Sequence, residues 1–307
     1  MKQTSGLIFL IALATMLSCQ KTAEQKSSLP SPQVILSLDS IKTEDVTFES
    51  EGVILAGTIY SPSHPQSAVV IVHGSDQVPR MAKFAKQLAQ ENILAFTYDK
   101  RGVGESGGVY AGPEVGTNNI SVENLNLLAK DASAAIDAIH ERNIDIPLGL
   151  IGASQAGWII PKVANSNPRV QFMVLMSSPT ITTLEQLRFQ FYTNGDTNFW
   201  EKHTEAEARE HVFNDLDKYD FVDTDPKDVL KELSLPGLWI FGEKDIQIPV
   251  RLCIEYLDEY KANGKPFEYE LFPLLGHNTN KAEPINISVN WIKQKSLVIS
   301  SKTNKQY

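Results

Sequence analysis

Ser154 lies in Gly152-Ala153-Ser154-Gln155-Ala156-Gly157, a small-x-Ser-x-small string. A serine hydroxyl is a poor nucleophile at neutral pH and needs a sharp turn to expose it and a base to take its proton. Small residues two before and two after the serine permit such a turn. The chemistry this arrangement serves is attack on a carbonyl carbon, with a histidine as base and a carboxylate to orient it. The candidate partners are spread along the chain. His277 sits in Leu274-Leu275-Gly276-His277-Asn278, and Asp245 and Glu243 share the segment 241–249. His73-Gly74-Ser75 precedes the serine; His64, His140, His203 and His211 complete the histidines.

Hydrophobic patterning supplies the elements that must position these groups. Val46 and Phe48 alternate with polar residues, as do residues 53–59 less strictly, and Glu51-Gly52 between them predicts an antiparallel hairpin. Continuous apolar runs at 68–72, 93–98, 148–151, 170–176 and 237–241 read as strands covered on both faces, and 267–271 continues the series. Helical spacing occupies 81–91, 121–142, 155–164 and about 249–263 between them. This alternation predicts an α/β fold with a mostly parallel sheet and helices on both faces. Ser154 then falls between a strand and a helix, and His73, Asp245 and His277 just beyond strand ends.

The segment from about 180 to 235 interrupts the rhythm. Thr183-Leu-Glu-Gln186 and Thr204-Glu-Ala-Glu207 match capping boxes, which predicts a helical insertion above the sheet. It carries Phe189, Phe191, Tyr192, Phe199 and Trp200, aromatics that either glue the insertion to the core or line a pocket beneath a lid.

Composition narrows the partners. The 307 residues include 28 basic and 37 acidic side chains, a formal net charge of −9, which argues against nucleic acid. With 42% hydrophobic residues the chain can bury a sizeable core. Two cysteines, Cys19 and Cys253, cannot form a disulfide framework or a four-thiolate zinc site. Cys253 falls on a predicted helix face as a small buried hydrophobe.

At His73-Gly74-Ser75, at the Ser154 string and at Asp99-Lys-Arg-Gly-Val-Gly-Glu-Ser106, the sequence resembles the α/β-hydrolase superfamily. The resemblance covers about 44–295 and implies that fold, in which the insertion at about 180–235 is expected to form a helical lid. It implies the chain order serine, acid, histidine, which assigns Ser154 as nucleophile, Asp245 as acid and His277 as base. Asp245 has the spacing from Gly242 and to Pro249 of the superfamily's acid loop; Glu243 is its competitor. The resemblance also implies an oxyanion hole from the N–H groups of Ser75 and Gln155, and structural roles for His73, Asp99 and Arg101. One bacterial subgroup is similar throughout, with Leu-Ala-Gly-Thr-Ile-Tyr-Ser-Pro (55–62), a His-Gly-Ser loop ending in Arg80, Tyr-Asp-Lys-Arg-Gly and Ser-Gln-x-Gly-Trp (154–158). Its members are esterase-like or peptidase-like serine hydrolases. The implied activity is hydrolysis of a small acyl substrate, first a carboxylic ester, without metal or organic cofactor. A peptidase or thioesterase is the rival of the same chemistry, and a catalytically silent binding lipoprotein the rival of another class. Ala156 and Asp76 depart from the usual glycines, and Asp76 puts a carboxylate beside the oxyanion loop.

At the N-terminus, Lys2 and the apolar run 7–17 fit a signal peptide and are too short to span a bilayer as a helix. Met16-Leu17-Ser18-Cys19 resembles the lipobox of bacterial lipoproteins, which implies lipidation of Cys19, export and anchoring at a membrane on its periplasmic side. The expected organisation is a signal peptide at 1–18, a tether at 19–40, the catalytic domain at 41–296 and a C-terminal tail at 297–307.

Overall fold

A computed structural model describes residues 40–112, 120–142, 145–216 and 222–303. The expected signal peptide, nearly all of the tether, and Cys19 lie outside them. Among the described residues no helix is long and apolar enough to cross a membrane.

The alternating opening forms the hairpin β1 (Lys42–Ser50) and β2 (Val53–Ser61), antiparallel in register Ser50 to Val53. Glu51 and Gly52 both take positive φ (49° and 71°), the backbone of a two-residue turn whose twist matches the strands. The continuous apolar runs become β3 (Ser67–Val72), β4 (Ile93–Tyr98), β5 (Leu148–Ala153), β6 (Phe172–Met176) and β7 (Gly237–Gly242). Strands β3, β4, β6 and β7 are buried at every position, as sheet interiors between two helical layers must be. The half-exposed β8 (Phe267–Phe272) closes the edge.

These strands form one eight-stranded sheet in the order β1-β2-β4-β3-β5-β6-β7-β8. Only the β1–β2 and β2–β4 pairings are antiparallel. Helices α1 (Ala82–Gln90), α2 (Val122–His140) and α3 (Ala156–Ser166) connect the central strands, and α8 (Val250–Ala262) links β7 to β8. One core cluster packs α2, α3 and α8 on one face. A second packs α1 and the last helix, α9 (Ala282–Thr303), on the other. The chain leaves β3 toward β4, then returns across β3 to β5, so successive connections diverge between β3 and β5. At such a switch point the strand ends part and leave a crevice, where ligands of open α/β sheets bind.

Two boundaries differ from the sequence reading. Helix α9 continues past 296 to Thr303, with Ile299 still packed on the second cluster, so residues 297–303 of the expected tail are helical. In the segment between β6 and β7, which forms α4 (Thr183–Thr193), α5 (Phe199–Lys202), α6 (Glu205–Asn214) and α7 (Lys227–Glu232), the first capping box is one residue earlier. Thr182 Oγ1 accepts from the Glu185 N–H at 3.1 Å and Glu185 reaches back to the Thr182 N–H. The second box is at Thr204 and Glu207 as read.

Candidate active site

Ser154 follows β5 directly, with φ of 55°, in the left-handed region where a non-glycine residue is strained by about 1–3 kcal/mol. Neighbouring glycines explain why the turn is tolerated. A Cβ on Gly152 would lie 2.6 Å from both the Ala156 Cβ and the Val72 carbonyl oxygen. The Ala156 methyl therefore uses space that Gly152 leaves empty, and the alanine is compatible with the turn. A Cβ on Gly157 would meet the Pro179 backbone at 2.7 Å, so α3 starts hard against the segment after β6.

At the neighbouring strand end, Gly74 places its backbone against the serine; a Cβ there would sit 3.5 Å from the Ser154 Cβ. Among the described residues the Ser75 N–H meets no acceptor. His73 is buried and packs edge-on against Tyr98. Burial, and secondly the Lys100 ammonium, lower its pKa to about 4. It is a neutral packing residue, outside the cavities that Ser154 lines. Asp99 and Arg101 are likewise structural: Asp99 takes Nε and Nη2 of Arg80 at 3.2 and 2.7 Å, and Arg101 takes Asp131 at 3.0 and 2.5 Å.

The loops that carry Asp245 and His277 meet backbone to backbone. A Cβ on Gly242 would lie 2.2 Å from the Gly276 carbonyl oxygen, and Lys244 N–H donates to the Leu275 carbonyl at 2.8 Å. This approach brings His277 Nδ1 to 2.8 Å from Asp245 Oδ2. The other carboxylate oxygen of the buried Asp245 accepts the N–H groups of Gln247 (2.7 Å) and Ile248 (3.1 Å). Glu243 instead pairs with Arg251 at the surface and does not face His277. Ser177, with φ of 45°, bonds Thr279 side chain to side chain at 2.9 Å and ties the His277 loop to the end of β6. Nothing in the sequence marks Ser177 or Thr279, because their partnership spans 102 residues.

Ser154, Ser75, Ser177, Gln247 and His277 line two cavities. One, about 110 Å³, lies under α4 with Trp158, Leu187, Gln190 and Ile248. The other, about 410 Å³, is walled by Val78, Met81, Phe84 and Met176, with Asp76 and Asn278 on its lining. Among the described residues no group of three or more His, Cys, Asp or Glu could hold a metal ion. Cys253 is buried, with its thiol pushed up to about 12 by burial.

None of the five insertion aromatics lines either cavity. Phe189 and Phe199 are buried and pack edge to face, Phe189 stacks on Trp200, and Phe191 is exposed. Phe189, Tyr192, Phe199 and Trp200 join the main core cluster, so they glue the segment to the core, as the plainer of the two sequence readings had it. What the segment offers the site is a set of hydrogen bonds. Trp200 Nε1, Thr193 Oγ1 and Gln186 Nε2 donate to the successive carbonyls of Asp245 (2.8 Å), Ile246 (2.6 Å) and Gln247 (2.9 Å). The insertion thus holds the Asp245 loop.

Two expectations follow. Trp200→Phe keeps an aromatic ring but removes the donor together with the fused pyrrole ring, so it should cost about 1–3 kcal/mol in urea unfolding; if the Asp245 loop depends on this bond, kcat on an activated ester also falls several-fold. Unchanged values in both assays would show that the bond holds nothing. The second concerns pH. Between about 4 and the ordinary 6.5 of histidine, the unfolded chain binds a proton at His73 that the folded chain does not. Stability therefore rises with pH through that window and is lost as pH falls through it. Wild type should lose up to about 3 kcal/mol more than His73→Gln between pH 7 and pH 4. Equal losses would contradict a buried neutral imidazole.

Comparison with known proteins agrees with this fold. A family model described as serine aminopeptidase, S33, matches residues 63–227. Esterase EstD of Thermotoga maritima is 26% identical over 235 residues, which is 68% of this chain and 53% of the relative. The chain thus spans about half the length of that curated relative. An esterase structure from Pyrococcus furiosus superposes with a TM-score of 0.60 at 15% identity, covering 83% of this chain and 90% of the other. An acetyl xylan esterase from Paenibacillus sp. R4 gives 0.59 at 17%, covering 85% of each chain. An acylaminoacyl peptidase from Pyrococcus horikoshii gives 0.55 at 15%, covering 78% of this chain and 38% of that one. At these identities the structural likeness shows the α/β-hydrolase fold. The family match spans more than half of the chain, and the protein belongs to the serine aminopeptidase S33 family of α/β-hydrolases.

Proposed function

We propose that the protein hydrolyses carboxylic esters through an acyl-enzyme on Ser154. The observation that carries this reading is the strained Ser154 turn sharing its cavities with His277, whose Nδ1 lies 2.8 Å from Asp245 Oδ2. His277 Nε2 takes the hydroxyl proton as Ser154 Oγ attacks the acyl carbon. Asp245, held by two backbone N–H groups, keeps the proton on Nδ1 and stabilises the imidazolium. Charge develops on the carbonyl oxygen and meets the N–H groups of Ser75 and Gln155. His277 then returns its proton to the leaving alkoxide. Water enters and its oxygen bonds to the acyl carbon as His277 takes its proton; the acyl–serine bond then breaks, His277 returns that proton to Ser154 Oγ, and the acid leaves.

Support for an ester comes from the relative named an esterase and from the apolar wall of the larger cavity. One observation favours a second reading: the Asp76 carboxylate on that cavity could anchor a substrate ammonium, as an aminopeptidase needs. Lipidation at Cys19 and export, expected from the sequence, are part of the proposal and lie outside the described residues.

A fluorophosphonate probe followed by peptide mapping tests the nucleophile. Wild type should label at Ser154. Ser154→Ala should not label, and His277→Ala should label at least about 10³-fold more slowly while His211→Ala labels normally. A folded wild type that fails to label would leave only a silent binding protein. On graded p-nitrophenyl esters and aminoacyl anilides, esters should turn over faster; preference for anilides would favour the peptidase.

A further inference from the structure

The sequence assigns no role to Lys100, although its neighbours Asp99 and Arg101 are fastened by ion pairs. Its side chain leaves the end of β4, beside β3, and is buried. The ammonium donates to the Gly74 carbonyl and lies 3.5 Å from the Asp76 carbonyl. The carbonyl between them, that of Ser75, accepts the Tyr110 hydroxyl at 2.7 Å. Asp76 O also accepts the Val78 N–H at 3.0 Å. Three consecutive carbonyls of the loop beside Ser154 are therefore held, two of them by side chains of one other loop.

Tyr110 is itself fixed in place. A Cβ on Gly112 would lie 1.8 Å from its hydroxyl oxygen, and one on Gly102 would lie 2.1 Å from its backbone nitrogen. Arg80, at the far end of the Ser75 loop, is tied to Asp99 through its backbone N–H (2.6 Å) as well as its guanidinium. The two loops are stitched together along their length.

A trans peptide is planar, with its C=O and N–H pointing in opposite directions. The Gly74 carbonyl and the Ser75 N–H belong to the same peptide unit. A cation that holds the first therefore sets the direction of the second, and its pull on the carbonyl electrons makes the N–H a stronger donor. We propose that Lys100 is a positioning residue for acyl transfer: by holding the Gly74 carbonyl it aims the Ser75 N–H at the developing oxyanion. Tyr110 fixes the next peptide in the same way. The proposal rests on Ser75 supplying an oxyanion donor, as in the proposed function.

The test compares Lys100→Met with wild type on a p-nitrophenyl ester and on a trifluoromethyl ketone, which becomes a hemiketal oxyanion on Ser154. Removing one oxyanion donor costs about 10²–10³-fold in kcat, and misaiming one should cost about 10–100-fold. The loss should fall in kcat with KM nearly unchanged, because the charge exists only in the transition state. Ketone affinity should fall by the same factor as kcat/KM, and Lys100→Arg should recover part of both. If Lys100→Met does not fold, Lys100→Gln, which keeps a donor and loses the charge, replaces it with a smaller matched loss expected. A folded variant with wild-type kcat, or with kcat reduced while ketone affinity stays unchanged, would overturn the role. Failure of the proposed acyl transfer on Ser154 is seen separately, since wild type would then neither turn over esters nor bind the ketone.

Discussion

A single backbone angle organises this molecule. Ser154 holds a φ of 55° at the end of a central parallel strand, and an L-residue keeps that conformation only when its surroundings forbid relaxation. Those surroundings are close backbone approaches. Gly152 leaves no room for a Cβ between Val72 and Ala156, Gly157 leaves none against Pro179, and the Ser154 N–H is anchored on the Met176 carbonyl at 3.0 Å. A packed interior has few ways to deform, so the strain is held by the sheet as a whole. The hydroxyl is presented in the crevice between β3 and β5.

The other site groups sit on loops, and each loop is held by another part of the fold. The Gly74–Arg80 loop is stitched to the loop after β4 through Lys100, Tyr110 and the Arg80–Asp99 pair. The acid loop is held from above by Trp200, Thr193 and Gln186. The base loop is held by Gly242 contact and by the Ser177–Thr279 bond. Preorganised donors and dipoles of this kind serve catalysis because they need no reorientation when charge develops. Buried cations and carboxylates are costly unless paired, which is why Asp99, Arg101 and Asp131 occur as fastened sets.

Much of this was legible in the sequence. The apolar runs marked the buried strands, and Glu51-Gly52 marked the hairpin turn. Ser154, Asp245 and His277 each follow a strand whose pattern was plain, and the structure brings the last two into contact. Other features were hidden for physical reasons. Thr182 and Thr183 both fit a capping box, and only backbone geometry selects the first. The insertion aromatics carry the same signal whether they pack on each other or face a ligand, and here they pack on each other. The partnerships of Lys100 with Gly74, Trp200 with Asp245 and Ser177 with Thr279 join residues from different elements, so periodicity cannot reveal them. His73 and His277 both follow strands. Burial separates them, since one imidazole is enclosed and held at a pKa of about 4 while the other reaches the cavities.

The central claim is that an acyl group is carried on Ser154 with its oxygen against the Ser75 and Gln155 amides. A crystal structure of the protein after reaction with an alkyl phosphonate tests it most directly. The predicted result is a phosphorus bonded to Ser154 Oγ, its oxygen within hydrogen-bond distance of both N–H groups and His277 Nε2 facing Oγ. A phosphonyl group on another residue, or one on Ser154 with its oxygen turned away from Ser75, would contradict it.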